Sequence, residues 1–145
     1  MVQARIFNGQ SFGGNEVAFF PPRIASFTLR LGDAVADGAG RAGDIPALNM
    51  APLGDGLHVA SYVSSGDILT YDNYAVFARF VEHKDFPGRT HDRHRDRGLP
   101  DDTFREYYTR YSKALIAVGA GAGADMALGL ETELVALANP YTDDV

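Results

Sequence analysis

Three of the four histidines of this sequence, His83, His91 and His94, lie within one short polar stretch. Imidazole nitrogens are favoured ligands of nickel, cobalt, copper and zinc ions, and carboxylates can complete their coordination shells. Residues three apart share one face of a helix, so His91 and His94 would point the same way if this stretch is helical. Carboxylates are close by in the sequence, at Glu82, Asp85, Asp92 and Asp96. The pattern predicts a weak chelating site for a divalent transition metal.

The same stretch is also rich in positive charge, which disfavours a cation site. The basic residues are Lys84, Arg89, Arg93, Arg95 and Arg97. Like charges repel, so an arriving metal ion would be opposed unless these side chains pair with the neighbouring acids. The alternative interpretation is a solvated helix crossed by salt bridges, with no bound ligand. The sequence leaves both interpretations open.

Groups that could carry out catalysis are sparse. The chain has no cysteine, and it contains no nucleophile-elbow, zinc-protease or phosphate-loop motif. Glu131 and Glu133 lie two apart, which would place both carboxylates on one face of a strand. There they could act as an acid and a base, or simply face water. Because no nucleophile, base and orienting residue can be named together, we predict that the protein is not an enzyme.

A glycine-rich run at residues 119–124, GAGAGA, superficially matches the dinucleotide-binding fingerprint. That fingerprint requires a strand before it and a long helix after it, within a strand–helix–strand unit. Gly129 interrupts the following segment after only a few residues. We therefore predict a flexible hairpin loop between two strands, with no nucleotide cofactor.

Composition and charge describe an ordinary globular chain. Its 145 residues are 46% hydrophobic and 22% charged, which is enough for a single domain with its own core. The formal net charge of −6 is opposite to that of a typical nucleic-acid-binding domain, so no nucleic-acid partner is expected. No apolar run approaches the roughly 20 residues of a membrane-spanning helix.

The periodicity of apolar residues predicts strands with one helical interruption. Residues 24–31 alternate between apolar and polar, and residues 57–64 and 67–71 resemble a hairpin closed at Ser65-Gly66. Spacings of three and four predict a helix over 73–84 that is capped at Asp72 or Asn73 and stopped at Pro87-Gly88. A short exposed helix over 89–97 and a further helical turn from Pro100 are predicted to follow it.

The last third of the chain returns to strands. The aromatic spacing in residues 104–119 fits both a helix and a strand, and its length and composition favour a strand over 108–118. A final strand is predicted over 131–138. The fold class that follows is a mostly β, antiparallel β-sandwich, immunoglobulin-like or related, with a helical insertion around 73–106. We expect a single domain over residues 1–145.

Two stretches of this last third carry a family resemblance: residues 104–119, FREYYTRYSKALIAVG, and residues 129–141, GLETELVALANPY. Together they resemble the bacterial domain of unknown function 4198 family. Its NikM-like members are labelled periplasmic components of cobalt or nickel ABC-type uptake systems. The residues that match the family's pattern are Glu106, Arg110, Tyr111, Lys113, Glu133, Asn139 and Pro140.

The resemblance implies a non-enzymatic binding or accessory module located outside the cytoplasm. It implies ABC-type transport components as partners and nickel or cobalt as the metal. It also implies that the chain is the first domain of a longer, two-domain secreted protein. The pattern residues are expected to be structural, with Lys113 paired to a glutamate on a neighbouring strand. The alternative interpretation is a carbohydrate- or protein-binding sandwich domain of a secreted protein with no metal role.

Overall fold

The chain folds as a mostly β protein with antiparallel sheets, as predicted. The computed structural model describes residues 1–10, 13–86 and 88–143. Within these residues 42% of the chain is strand and 14% is helix. Two compact units can be distinguished: a larger unit, Met1–Ser65 together with the chain from Thr109 onward, and a smaller unit, Gly66–Tyr108.

The larger unit contains eight strands among its described residues. They are β1 (Val2–Ala4), β2 (Ile6–Gln10), β3 (Gly13–Val17), β4 (Ile24–Leu31), β5 (Ala34–Asp37), β6 (Leu48–Met50), β7 (Gly56–Ser64) and β10 (Tyr111–Val118). A four-stranded sheet has the order β10-β7-β4-β5, and two-stranded ribbons pair β1 with β6 and β2 with β3. Each of these pairings is antiparallel.

The core of the larger unit has a sandwich-like arrangement. The alternation predicted for residues 24–31 is present in β4, where Phe27 and Leu29 are buried and Thr28 between them is half-buried. Val2 from β1 and Leu48 from β6 join the same hydrophobic cluster. The four-stranded sheet and the β1–β6 ribbon therefore bury their apolar faces in one shared core.

The smaller unit contains two strands and two helices: β8 (Asp67–Asn73), α1 (Tyr74–His83), α2 (His91–Asp96) and β9 (Asp102–Tyr108). β8 pairs antiparallel with β9. Aromatic rings fill its interior, since Phe104 stacks on Tyr71 with ring centroids 5.4 Å apart and meets Phe77 edge-on at 5.5 Å. These ring contacts give the short elements a common apolar centre.

The helix predicted over 73–84 is present as α1, and Asn73 caps it. The Asn73 Oδ1 accepts a hydrogen bond from the backbone N–H of Val76 at 3.2 Å, satisfying one of the free donors of the first turn. Thr90 caps α2 in the same way through the N–H of Arg93 at 3.4 Å. The predicted stop of this helix at Pro87-Gly88 includes Pro87, which lies outside the described residues.

The two helices lie within the predicted helical insertion around 73–106, but the further helical turn predicted from Pro100 is absent. α2 ends at Asp96, and the stretch from Asp102, where a helical turn was expected, is strand β9. Phe104 and Tyr108 have a spacing that suits a helix, but the ladder with β8 pairs Phe104 with Tyr71 and Tyr108 with Asp67. Tertiary pairing decides the conformation of a segment whose local pattern fits both.

The predicted hairpin between residues 57–64 and 67–71 is also wrong. β7 does not pair with β8: it lies between β4 and β10, and β8 pairs with β9. β7 is buried along most of its length, so it requires hydrogen-bond partners on both sides. The chain leaves β7 at Ser64, forms the smaller unit and returns as β10.

The final strand predicted over 131–138 is absent, as is the second strand of the hairpin expected around 119–124. Residues 119–143 contain no regular secondary structure. Gly119 and Gly121 turn the chain after β10 with φ values of +60° and +65°, a conformation that glycine adopts freely. The physical reason that no strand follows lies in the side chains that hold this segment.

Candidate functional site

Lys113 is the centre of a buried ion network in the larger unit. β10 carries its ammonium group to 2.9 Å from Asp125 Oδ1 and 3.3 Å from Glu133 Oε2. The Lys113 Nζ also donates to the carbonyl oxygen of Met126 at 2.8 Å. The side chains of Lys113, Asp125 and Glu133 are only 9%, 3% and 12% exposed. One cation thus joins two carboxylates and one carbonyl away from water.

The two carboxylates of this network also accept backbone hydrogen bonds. Glu133 accepts from the N–H groups of Leu128 and Gly129 at 3.0 and 2.9 Å. The hydrogen bond from Leu128 is the main cause that lowers the pKa of Glu133, and the bond from Gly129 and the Lys113 charge add to it. Together they hold this pKa below its ordinary value against the opposing effect of burial.

Asp125 binds the same segment from the other side. Its Oδ2 accepts from the N–H of Ala136 at 2.8 Å, and its Oδ1 accepts from the N–H of Met126 at 2.7 Å. Burial alone would raise the pKa of Asp125, but the Ala136 bond and the Lys113 ammonium outweigh it and lower that pKa. The N–H of Ala136, which a strand over 131–138 could give to a ladder, is therefore used by a side chain.

Asn139 fixes the end of the irregular segment. Its buried side-chain amide donates to the carbonyl oxygens of Gly121 and Gly123 at 2.8 and 3.0 Å. Its Oδ1 accepts from the N–H of Tyr141 at 3.0 Å, and the Tyr141 hydroxyl donates to the Leu115 carbonyl of β10 at 2.8 Å. Pro140, between them, is exposed. Asn139 therefore closes the segment onto its own beginning.

The remaining pattern residues also make contacts within their own unit. In the smaller unit Glu106 accepts from the Tyr71 hydroxyl at 2.8 Å, and burial together with this bond raises the pKa of Tyr71 above its usual range. In the larger unit the Tyr111 hydroxyl donates to Glu131 Oε2 at 3.0 Å, and the backbone N–H of Arg110 donates to Ser64 Oγ at 2.9 Å. These contacts position elements rather than reactive atoms.

Two of the three histidines predicted as metal ligands lie side by side on α2. His91 Nε2 is 2.6 Å from Asp101 Oδ1, and the His91 ring stacks on Tyr74 with centroids 4.0 Å apart. Asp101 also accepts from the Arg95 guanidinium at 2.9 Å. Both hydrogen bonds lower the pKa of Asp101, and the bond from Arg95 has the larger effect. Part of α2 is thus crossed by salt bridges, in line with the alternative interpretation of this stretch.

His94 points into the smaller unit. It is 6% exposed, and its Nε2–H donates to the Pro100 carbonyl oxygen at 2.7 Å, because a carbonyl can only accept. Its ring meets Phe104 with centroids 4.5 Å apart. The expectation of a wholly exposed helix is therefore wrong at this position. The apolar aromatic centre of the unit accounts for the burial.

The structure does not assemble the three histidines into a cage. The ring centroids of His91 and His94 are 6.3 Å apart, and His83 is the exposed last residue of α1. Within the described residues, no group of three or more histidine, cysteine or acidic side chains is arranged to hold a metal ion.

Three arginines of the polar stretch 89–97 line a groove of about 740 Å³ in the smaller unit. These three lie on α2 or directly beside it: Arg89, Arg93 and Arg97. A fourth arginine, Arg105, lines the groove from β9. In the sequence, Arg89, Arg93 and Arg97 counted only as a source of repulsion toward a metal. Their spacing of four was the signal that could have placed three of them together, because residues four apart share a helix face.

Comparison with known proteins gives one match. The family model described as "Domain of unknown function (DUF4198)" matches residues 2–145. No curated protein and no solved structure matches the chain. Among the helices of the described residues, none has the length and apolar character needed to cross a membrane.

Proposed function

Because the chain belongs to the domain of unknown function 4198 family, we propose that it is a non-enzymatic binding module of an extracytoplasmic protein. The further proposal is that this protein serves cobalt or nickel uptake beside ABC-type transport components. The support for that part is the label that NikM-like members of the family carry.

The Lys113 network is the observation that supports a binding module over an enzyme. It is the most strongly charged buried constellation of the described larger unit, and each of its three charged groups has internal partners. Acid–base or nucleophilic catalysis needs a group whose proton or lone pair is available to a substrate. Lys113, Asp125 and Glu133 instead use their donors and acceptors to hold the chain segment after β10.

The metal part of the proposal uses the histidines of α2. His91 and His94 are the nearest pair of imidazoles, and the carboxylate of Asp101 lies beside His91. Their present hydrogen bonds to Asp101 and Pro100 would have to loosen for both rings to ligate one ion. We therefore expect micromolar or weaker affinity, with copper ahead of nickel and cobalt in the usual order of divalent metals.

A nickel titration followed residue by residue by NMR tests this function. In buffer without carboxylates, we expect Ni²⁺ to move the side-chain resonances of His91 and His94 first. The variant His91→Ala should weaken binding strongly and keep the fold, because His91 is only half-buried. His83→Ala, at the exposed end of α1, is the matched control and shows whether the third predicted histidine takes part.

Two results of the nickel titration would contradict the metal role. If Ni²⁺ leaves the histidine resonances unmoved, or if His91→Ala binds as the unaltered protein does, these residues are not the ligands. A carbohydrate- or protein-binding module without a metal role would then be the better proposal.

A further inference from the structure

The groove of the smaller unit carries an excess of positive charge that the fold does not neutralise. Four arginines line it, and Glu106 is the one acidic residue that lines it with them. The Glu106 carboxylate already accepts the Tyr71 hydroxyl at 2.8 Å. Guanidinium groups stay charged at all physiological pH values, so their mutual repulsion in the groove is permanent.

Within the described residues, none of these four arginines forms an ion pair. In the part of the chain that the structure describes, no carboxylate lies within 4.0 Å of Arg89, Arg97 or Arg105. The fourth, Arg93, donates through one nitrogen to the Gly88 carbonyl at 2.9 Å. That bond orients its guanidinium and leaves its other N–H groups for a ligand.

The floor of the groove is apolar and well packed. Phe77, His94 and Phe104 line it, and their rings contact one another with centroids 4.5 to 6.5 Å apart. His94 and Phe104 are each only 6% exposed, so the floor is fixed by the core of the unit. The groove thus combines fixed aromatic side chains with charged ones, and small-molecule sites likewise set a few polar groups among apolar lining.

From this arrangement we propose that the groove binds a small molecule carrying at least two carboxylate or phosphate groups. A guanidinium matches both groups because its planar N–H donors can bond two oxygens at once. Arginines from two different elements, α2 with its flanks and β9, suit a ligand with separate anionic groups. The volume of about 740 Å³ lies within the range of small-molecule pockets. The site needs no metal, so it stands or falls independently of the proposed function.

Calorimetric titration of the full chain tests the site, in buffer freed of metal ions. Citrate and inorganic pyrophosphate are the probes, and acetate and glycerol are the controls. We expect both probes to bind more tightly than acetate, glycerol not to bind, and added salt to weaken the probes. The tighter of the two probes identifies the ligand class as polycarboxylate or phosphate.

Variants locate the binding. Arg97→Gln and Arg105→Gln change exposed side chains and should each weaken the probes about tenfold or more, since a charge-assisted hydrogen bond is lost. Arg79→Gln is the matched control, because it removes the same charge from an exposed position of α1 that does not line the groove. Circular dichroism checks that each variant is folded.

Three outcomes would overturn the proposal. One is that citrate and pyrophosphate bind no more tightly than acetate. Another is that Arg79→Gln weakens binding as much as Arg97→Gln, which would indicate a general charge effect. The third is that the probes shift NMR resonances outside residues 88–107 and leave that range unmoved.

Discussion

Lys113 is the residue on which the buried charges of the larger unit converge. Removing an ammonium group from water is costly, and a buried ion pair is favourable only when its remaining donors and acceptors are satisfied. Here the Met126 carbonyl accepts from Lys113, and the backbone N–H groups of Gly129 and Ala136 donate to the carboxylates of Glu133 and Asp125. The network therefore depends on every one of its members.

Replacing Lys113 by methionine should destabilise the fold. The change keeps the length of the side chain but leaves Asp125 and Glu133 buried without their cation. We expect the free energy of unfolding, measured in urea, to fall by about 3 kcal/mol. Lys84→Met is the control, because Lys84 is the other lysine of the chain and is exposed. Lost ligand binding at unchanged stability would instead make Lys113 a binding residue.

Acid should weaken the protein through the same carboxylates. The pKa values of Asp125 and Glu133 lie below their ordinary values of 3.8 and 4.5 in the folded state. Their contribution to stability is therefore complete above those ordinary values and is lost as the pH falls through the lower, folded-state values. Urea unfolding at pH 7, 5, 4 and 3 should show the decline below about pH 4.5.

Lys113→Met provides the comparison for the acid series. Since Lys113 contributes to lowering both pKa values, the variant should lose less stability between pH 5 and pH 3 than the unaltered protein. Equal losses in the two proteins would show that other carboxylates account for the acid sensitivity.

Some of these residue-level features could be anticipated from the sequence and others could not. The family pattern singled out Lys113 and Glu133, and the structure pairs them. Asp125 was missed because it lies in a segment without periodicity, where no rule says which way a side chain points. The arginine groove was missed because its formation depends on the burial of His94 and on the position of β9.

The elements with a single apolar period are predicted correctly, and within the ambiguous stretch 104–119 the strand predicted over 108–118 is present as β10 (Tyr111–Val118). β4 and α1 each have one clear apolar period, and both form where predicted. β9 has aromatic residues at spacings that suit either structure, and pairing with β8 decides it. Residues 131–138 have strand composition, but they form no strand, and the N–H of Ala136 donates to Asp125 instead of to a ladder.

The irregular segment after β10 should depend on Asn139. The variant Asn139→Asp has nearly the same shape but cannot donate to the Gly121 and Gly123 carbonyls. It would also place a negative charge against them. We expect a loss of about 3 kcal/mol in stability and faster hydrogen exchange at residues 121–141. Asn15→Asp, at an exposed position of β3, controls for the added charge. Unchanged exchange in the segment would contradict a fastening role for Asn139.

At the scale of the whole molecule, the pattern of short strands predicted the fold class but not the connectivity. Ser65-Gly66 has the composition of a tight turn, and this favoured a hairpin between β7 and the strand that follows it. The chain instead inserts the whole smaller unit between β7 and its neighbour β10. Local sequence contains no signal for a partner strand that follows only after such an insertion.

The hydrogen bond from the Tyr141 hydroxyl to the Leu115 carbonyl bears on the aggregation of this protein. β10 is one of the two outermost strands of the four-stranded sheet, and outermost strands can recruit a strand from another molecule and so start aggregation. The Tyr141 hydroxyl occupies one carbonyl oxygen of that strand. Tyr141→Phe should therefore increase light scattering in concentrated solution, whereas Tyr107→Phe, in the smaller unit, should not. Equal scattering by both variants would contradict this. More scattering by Tyr141→Phe alone would show that the polar fastening of an irregular segment also keeps a sheet border from acting as a template.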